Sequence, residues 1–251
     1  MGHALGTTKA HRQQLGGAMI LAIETAVEHV GVALGDSRGI AASVSLASDR
    51  RHAESLTPMI EFACSHAGIT LHDVSAIAVD IGPGLFTGMR VGIATAEMLA
   101  WSLDVPVVPV CSLDIVASAL WHADDTVVAA LDARRGEIYW AMYRPDVVNT
   151  KMIPITSPVV SSPEDMIVEI NDRGEPVWCV GSGFVRYRND AELITHAQFA
   201  PQSFAGPSAD VLLEIAVGKI ARDEHVEAHD IEPMYLRAPD AEINWAVREG
   251  A

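Results

Sequence analysis

Val74-Ser75-Ala76-Ile77-Ala78-Val79-Asp80-Ile81, followed at once by Gly82-Pro83-Gly84-Leu85-Phe86-Thr87-Gly88-Met89-Arg90-Val91-Gly92, decides the fold. The first run is short and apolar and reads as a strand. The second opens a helical pattern that continues to about Leu103. A glycine-rich turn between a strand and a helix leaves N–H groups free at the helix start, where orphan donors and the helix dipole together favour an anion. Glycine there permits positive φ and close backbone approach. Neither familiar phosphate loop fits. No Lys follows these glycines, as a Walker loop requires, and Gly82, Gly84 and Gly88 leave one residue too many for the dinucleotide spacing. Two readings stand at this point: an anion cradle, or a tight turn that lets the helix pack closely on the sheet.

Working outward, Met19 to Thr25, His29 to Leu34 and Ile40 to Leu46 read as three strands joined by short turns, an antiparallel meander. Helical spacing runs from about His52 to His66, with Leu56, Met59, Ile60 and Ala63 on one face. Pro58 lies inside it, so this helix is expected to start late or to bend. Val105 to Val110 is a strand parallel to Val74 to Ile81, because a helix separates the two. Ser112 is the expected N-cap of a further helix. The resulting order, β-β-β-α-β-α-β-α, is that of the ribonuclease-H-like core shared by actin, Hsp70 and sugar kinases.

A second unit starts near Thr126. Val127 to Leu131 and Glu137 to Tyr143 form a hairpin around Asp132-Ala133-Arg134-Arg135-Gly136. Pro145 to Glu164 is rich in Pro, Ser and Thr and reads as irregular or edge structure. A helix after Pro163, a strand Val177 to Val180, a helix Ser208 to Ile220 and an extended tail follow. The expected division is an extension over residues 1–18, a ribonuclease-H-like lobe over 19–121, a smaller lobe over 122–237 and a tail over 238–251. The last helix of the smaller lobe is free to pack back on the first. The expected class is a two-lobed α/β fold of mixed sheets flanked by helices.

A chain of 251 residues can bury a core without staples. Seventeen basic against thirty-three acidic residues give a net charge of −16, which repels a nucleic-acid backbone and disfavours autonomous tight binding to RNA or DNA. Arg50-Arg51 and Arg134-Arg135 are only pairs. Cys64, Cys111 and Cys179 are odd in number and far apart, which points to neither a zinc knuckle nor a disulfide framework and suits a reducing cytoplasm. The apolar run Ala18 to Ile23 stops at Glu24, too soon for a signal-peptide core or a membrane span.

Three carboxylates end strands or open turns: Glu24, Asp80 and Asp132. In a core of this kind they could meet and hold Mg²⁺, as a phosphotransferase or nuclease requires. The favoured reading is that they serve turns and backbone, because no helix offers a further inward carboxylate. His52 is the other test. A metal site on a helix needs a second histidine one turn on, and the residue four positions later is Leu56. No metal is expected, and His52 reads as a helix-start residue. No Ser/His/Asp or H-E-x-x-H pattern supports a protease.

Several segments together resemble one family: Ile20-Leu21-Ala22-Ile23-Glu24-Thr25, His52-Ala53-Glu54-Ser55-Leu56-Thr57-Pro58, the glycine stretch Gly82 to Gly92, Leu131-Asp132-Ala133-Arg134-Arg135-Gly136-Glu137-Ile138-Tyr139, and Pro233-Met234-Tyr235-Leu236-Arg237. In this order and spacing they are similar to the TsaB (YeaZ) family of the bacterial tRNA threonylcarbamoyladenosine system, over residues 19 to about 237. The resemblance implies the actin/Hsp70/sugar-kinase fold and a chain that is not itself the transferase, with no catalytic residues. It implies binding to a TsaD-like paralogue and activation of it, so that threonylcarbamoyl is transferred to adenosine 37 in the anticodon loop. A TsaE-like ATPase completes the set of partners, with tRNA contacted only through the complex, a homodimer when the chain is alone, and no membrane. No cofactor is required by this chain itself, and whether ATP or ADP enters at the complex interface stays open. Two positions depart from the family pattern: Glu24 stands where Asp is common, and Leu85 where Ser is usual. The missing hydroxyl weakens the case for a working nucleotide loop, so Glu24, Gly82, Gly84, Thr87 and Gly88 form at most a degenerate one.

The resemblance also places the dimer and TsaD contact on the two first-lobe helices. From them Leu56, Met59, Ile60, Ala63, Met89 and Ile93 are taken as the partner interface. The helix after the glycines is apolar on more than one face, so one face covers the sheet and the remainder needs another cover. The competing function is an active ATPase or sugar-type kinase of the same fold, using the glycine loop and Glu24.

Overall fold

The period-two pattern of the apolar strands is what organises both halves of the molecule. A computed structural model describes residues 17–47 and 52–237. The Arg50-Arg51 pair, residues 1–16 of the N-terminal extension and the 238–251 tail lie outside the described residues. The chain divides into two compact units. The first comprises the described residues up to Ile81, Thr87–Val110 and Pro207–Glu232; the second comprises Gly82–Phe86, Cys111–Gly206 and the described residues from Pro233 on.

The first unit holds strands β1 (Met19–Glu24), β2 (His29–Asp36), β3 (Gly39–Ala47), β4 (Val74–Asp80) and β5 (Val107–Val110) and helices α1 (His52–Ala67) and α2 (Phe86–Leu103). Its sheet has the order β3-β2-β1-β4-β5. The meander is antiparallel, and β4 and β5 join it in parallel, each after a crossover through a helix. Leu21, Ile23, Val32, Leu34, Ile77 and Val79 form one core with Leu56, Met59, Ile60 and Ala63 of α1 and Met89, Ile93, Ala96 and Ala100 of α2. The opposite face carries small residues. A Cβ on Gly35 would come within 2.8 Å of the Leu213 side chain, so helix α7 (Ala209–Ala221) packs that leucine directly on the strand there.

The second unit holds helix α3 (Ser112–Ser118), β6 (Thr126–Arg134), β7 (Glu137–Asp146), β8 (Lys151–Pro154), β9 (Val159–Ser161), α4 (Pro163–Arg173), β10 (Val177–Val180), α5 (Ser182–Arg186), α6 (Arg188–Ala191) and β11 (Ala197–Phe199). Its order, β11-β10-β6-β7-β8 with β9 also on β7, repeats the first sheet's order and strand directions. Both sheets are mixed, both are flanked by helices, and both have the ribonuclease-H-like arrangement. Leu131, Ala129 and Val127 pack to one side with Leu113 and Val116, and Val128 and Ala130 to the other with Met166, Ile167 and Ile170. Alternate residues of one strand thus feed two cores.

Two closing helices are exchanged. The helix after β5, α3, covers the second sheet, and the helix after β11, α7, covers the first. The segment Pro145 to Glu164 supplies two short strands, β8 and β9, both on β7. The tail is an extended strap within the second unit: Met234 and Leu236 pack on its core, the Tyr235 ring lies 5.4 Å from that of Phe86, and Arg237 Nη1 donates to Glu137 Oε2 at 2.8 Å.

Two local readings are decided by the structure. Helix α1 starts at His52, as its helical spacing suggests, so of the two readings of Pro58 the late start falls. Pro58 is exposed, so its ring sits on the solvent side where loss of one N–H is tolerated. Ser112 is the first helical residue of α3 and not its cap; the cap position is Cys111, which makes no side-chain capping bond. The Ser112 N–H instead donates to the Gly82 carbonyl at 2.8 Å, so the glycine turn satisfies one of the helix's orphan donors. Genuine serine caps occur at Ser162 and Ser208, which accept from Asp165 N–H and Val211 N–H.

Candidate functional site

Glu24 and Asp80 end neighbouring parallel strands, one register step beyond the Ile23–Val79 pair, and both are buried. Burial pushes the Glu24 carboxyl well above its ordinary value of 4.5, and the adjacent Asp80 charge pushes it further. The Ala26 N–H donates to Glu24 Oε1 at 2.7 Å and works weakly the other way. A hydrogen bond between the two carboxyls also raises the Glu24 value, so the buried pair favours a neutral Glu24.

A titration follows. In the unfolded chain Glu24 ionises near 4.5, while in the fold it keeps its proton, so its contribution to stability is full below 4.5 and is lost as pH rises toward the raised folded value. Glu24→Gln can keep both hydrogen bonds, accepting from Ala26 and donating to Asp80, with no proton to lose. At pH 8 this variant is expected to be more stable than wild type, read as a higher Tm, with the gap closing near pH 4. A gap in Tm that stays constant from pH 4 to 8 would show that Glu24 is not held neutral in the fold.

Asp132 stands in the second unit and is occupied. Its Oδ1 accepts from the Arg134 N–H at 3.0 Å, and its Oδ2 faces the guanidinium groups of Arg134 and Arg186 at 3.3 and 3.4 Å. Arg134 and Arg135 adopt positive φ beside Gly136, so the pair belongs to the tight hairpin turn. His52, at the start of α1, donates from Nε2 to the Val27 carbonyl at 2.8 Å. Among the described residues no three His, Cys, Asp or Glu side chains gather where a metal ion could sit.

The glycines divide by role. Gly82 has φ 98°, a conformation that only glycine takes without strain, and Gly82 to Phe86 belong to the second unit. Gly88 is pressed on the end of β1 in the first unit. A methyl there would collide with the Thr25 carbonyl, and one on Gly92 with Thr25 Oγ1. The Thr25 hydroxyl, in turn, donates to the Gly88 carbonyl at 2.8 Å. Close packing of the helix on the sheet accounts for Gly88 and Gly92. Thr87 is exposed and Gly84 half-buried.

The six residues taken as the partner interface are all in the first unit's core: Leu56, Met59, Ile60, Ala63, Met89 and Ile93 are each less than 9% exposed. They hold α1 and α2 on the sheet. On α1 the outward ring is Phe62, 51% exposed and stacked on His66 at 3.9 Å. On α2 the outward stripe runs through Ala94, Met98 and Trp101, at the i, i+4, i+7 spacing of a single face. Met98 is 72% and Trp101 83% exposed. The hydroxyl of half-buried Thr95 beside the stripe donates back to the Val91 carbonyl at 2.7 Å. Small residues would have sorted the two faces in the sequence: Gly88, Gly92, Ala96 and Ala100 mark the side that lies against the sheet, which leaves the Met98–Trp101 side outside.

Among the described residues no helix is long and apolar enough to cross a membrane. The family model described as TsaD, tRNA N6-adenosine threonylcarbamoyltransferase, matches residues 39–245. The tRNA threonylcarbamoyladenosine biosynthesis protein TsaB of Haemophilus influenzae is 32% identical over 234 residues, 90% of this chain and 95% of that protein. TsaB of Escherichia coli is 32% identical over 87% of this chain and 94% of its own length. Among solved structures, YeaZ from Pseudomonas aeruginosa superposes with a TM-score of 0.76 at 32% identity, over 87% of this chain and all of that one.

Proposed function

Because the chain belongs to the TsaB (YeaZ) family, we propose that it is a non-catalytic subunit of a cytoplasmic complex that forms threonylcarbamoyladenosine at position 37 of tRNA. It binds and activates a TsaD-like transferase, with a TsaE-like ATPase as the further partner, and it pairs with a second copy of itself when alone. It contacts tRNA only through the complex and requires no cofactor of its own; any ATP or ADP in the assembly binds at the complex interface. The match of the transferase's family model to residues 39–245 supports this reading.

The observation that carries it is the outward stripe of α2. A tryptophan 83% exposed, one turn from a methionine 72% exposed, has no stabilising role in the isolated chain and is the composition of an interface core. The burial of Glu24 and Asp80 and the bond from the His52 ring to the Val27 carbonyl weigh against a kinase. Depletion of the protein is expected to remove threonylcarbamoyladenosine from nucleoside digests of cellular tRNA, and reconstitution of the TsaD-like enzyme is expected to need this chain. Normal levels after depletion, in an organism without a second copy, would end the proposal.

A further inference from the structure

The last turn of α2 forms one wall of a cavity of about 300 Å³ in the first unit. Trp101 stands on its rim. The segment after α7 is stitched to the start of β5 by two bonds between Val107 and Val226, at 2.9 and 2.8 Å, and this brings Glu227 to the same cavity as Glu97 and Asp104. No Lys or Arg lines it. The imidazole on the rim, His229, is directed at Asp230, 3.6 Å away. None of the three carboxylates has a cationic partner among the described residues. The helix itself adds to the negative potential. It has no basic residue in its last turn, and Asp104 follows its end at φ 54°, where the dipole is negative and a cation is the usual companion.

An exposed indole face beside uncompensated carboxylates is complementary to one side chain above others. A guanidinium stacks flat on an aromatic ring and forks its N–H groups to carboxylates, which an ammonium cannot do at once. We propose that this notch receives an arginine side chain of the transferase partner, extending the α2 docking face past Trp101. The inference rests on the docking reading above and adds the chemistry of the partner's contact.

The test is calorimetry of the full chain with the organism's TsaD-like protein at about 50 and 300 mM salt, a range over which exposed ion pairs are progressively screened. The triple variant Glu97→Gln/Asp104→Asn/Glu227→Gln is expected to bind about 10–100-fold more weakly at low salt, with a flatter salt dependence and an unchanged melting curve. Trp101→Phe, which keeps the apolar surface but weakens the attraction for a cation, is expected to lose a few-fold. If the triple variant binds like wild type with the same salt dependence, while Met98→Glu still blocks association, no cation enters the notch and the docking face alone stands. If the wild-type chain fails to bind at all, the docking reading falls and this inference with it.

Discussion

Replacing Met98 and Trp101 together by glutamate is expected to abolish association with the TsaD-like partner while leaving the chain folded. Both side chains stand mostly in solvent on the outer stripe of α2 and contribute nothing to the core beneath. Their replacement belongs with surface substitutions, which change stability by less than about 0.5 kcal/mol. At an interface the same positions act as central anchors. Large exposed side chains of this kind typically account for about 2–4 kcal/mol each when truncated, and a charge in their place adds the cost of burying it. The expected loss in affinity is at least about 100-fold by calorimetry or gel filtration, with circular dichroism and Tm unchanged. Threonylcarbamoyladenosine formation in a reconstituted reaction should fall in parallel. Retention of wild-type affinity would remove the α2 stripe from the interface.

The opposite outcome is expected one helical face away. Leu56→Arg and Ile93→Glu put a charge into the core shared by β1, β2, β4, α1 and α2. Leu56 is 1% exposed and Ile93 8%. On the reading that these residues meet a partner, the variants would lose binding and keep their fold. Their burial reverses that expectation. An unpaired buried charge together with a lost apolar side chain is the kind of change that exceeds about 4–5 kcal/mol, comparable to the whole stability of many domains. Loss of cooperative melting and of the folded far-ultraviolet signal is expected for both, in contrast to the Met98/Trp101 pair. A Leu56→Arg chain that melts cooperatively near the wild-type temperature would show that α1 is not packed as described.

Much of the fold is legible in residues near each other. Alternation and apolar runs mark β1 to β7 and β10, and the glycine stretch marks where β4 ends and α2 begins, because these signals depend on local geometry alone. Strands β8 and β9 are short, lie in a segment rich in Pro, Ser and Thr, and exist because β7 offers them an edge, so that segment reads only as irregular or edge structure. The missing second histidine after His52 is visible directly, whereas the bond from His52 to the Val27 carbonyl is not.

By itself the sequence determined that a ribonuclease-H-like chain is present, which family it resembles, and that α2 has more apolar surface than one sheet can cover. The tertiary structure alone decided which stripe of α2 is left outside, that Glu24 and Asp80 share one buried environment, and that α3 and α7 each close the sheet of the other half. The reason is physical. Periodicity records that a helix has apolar faces, but which face is buried depends on how near the backbone can come to the sheet, and that is set by contacts such as Gly88 on Thr25, 63 residues apart in the chain.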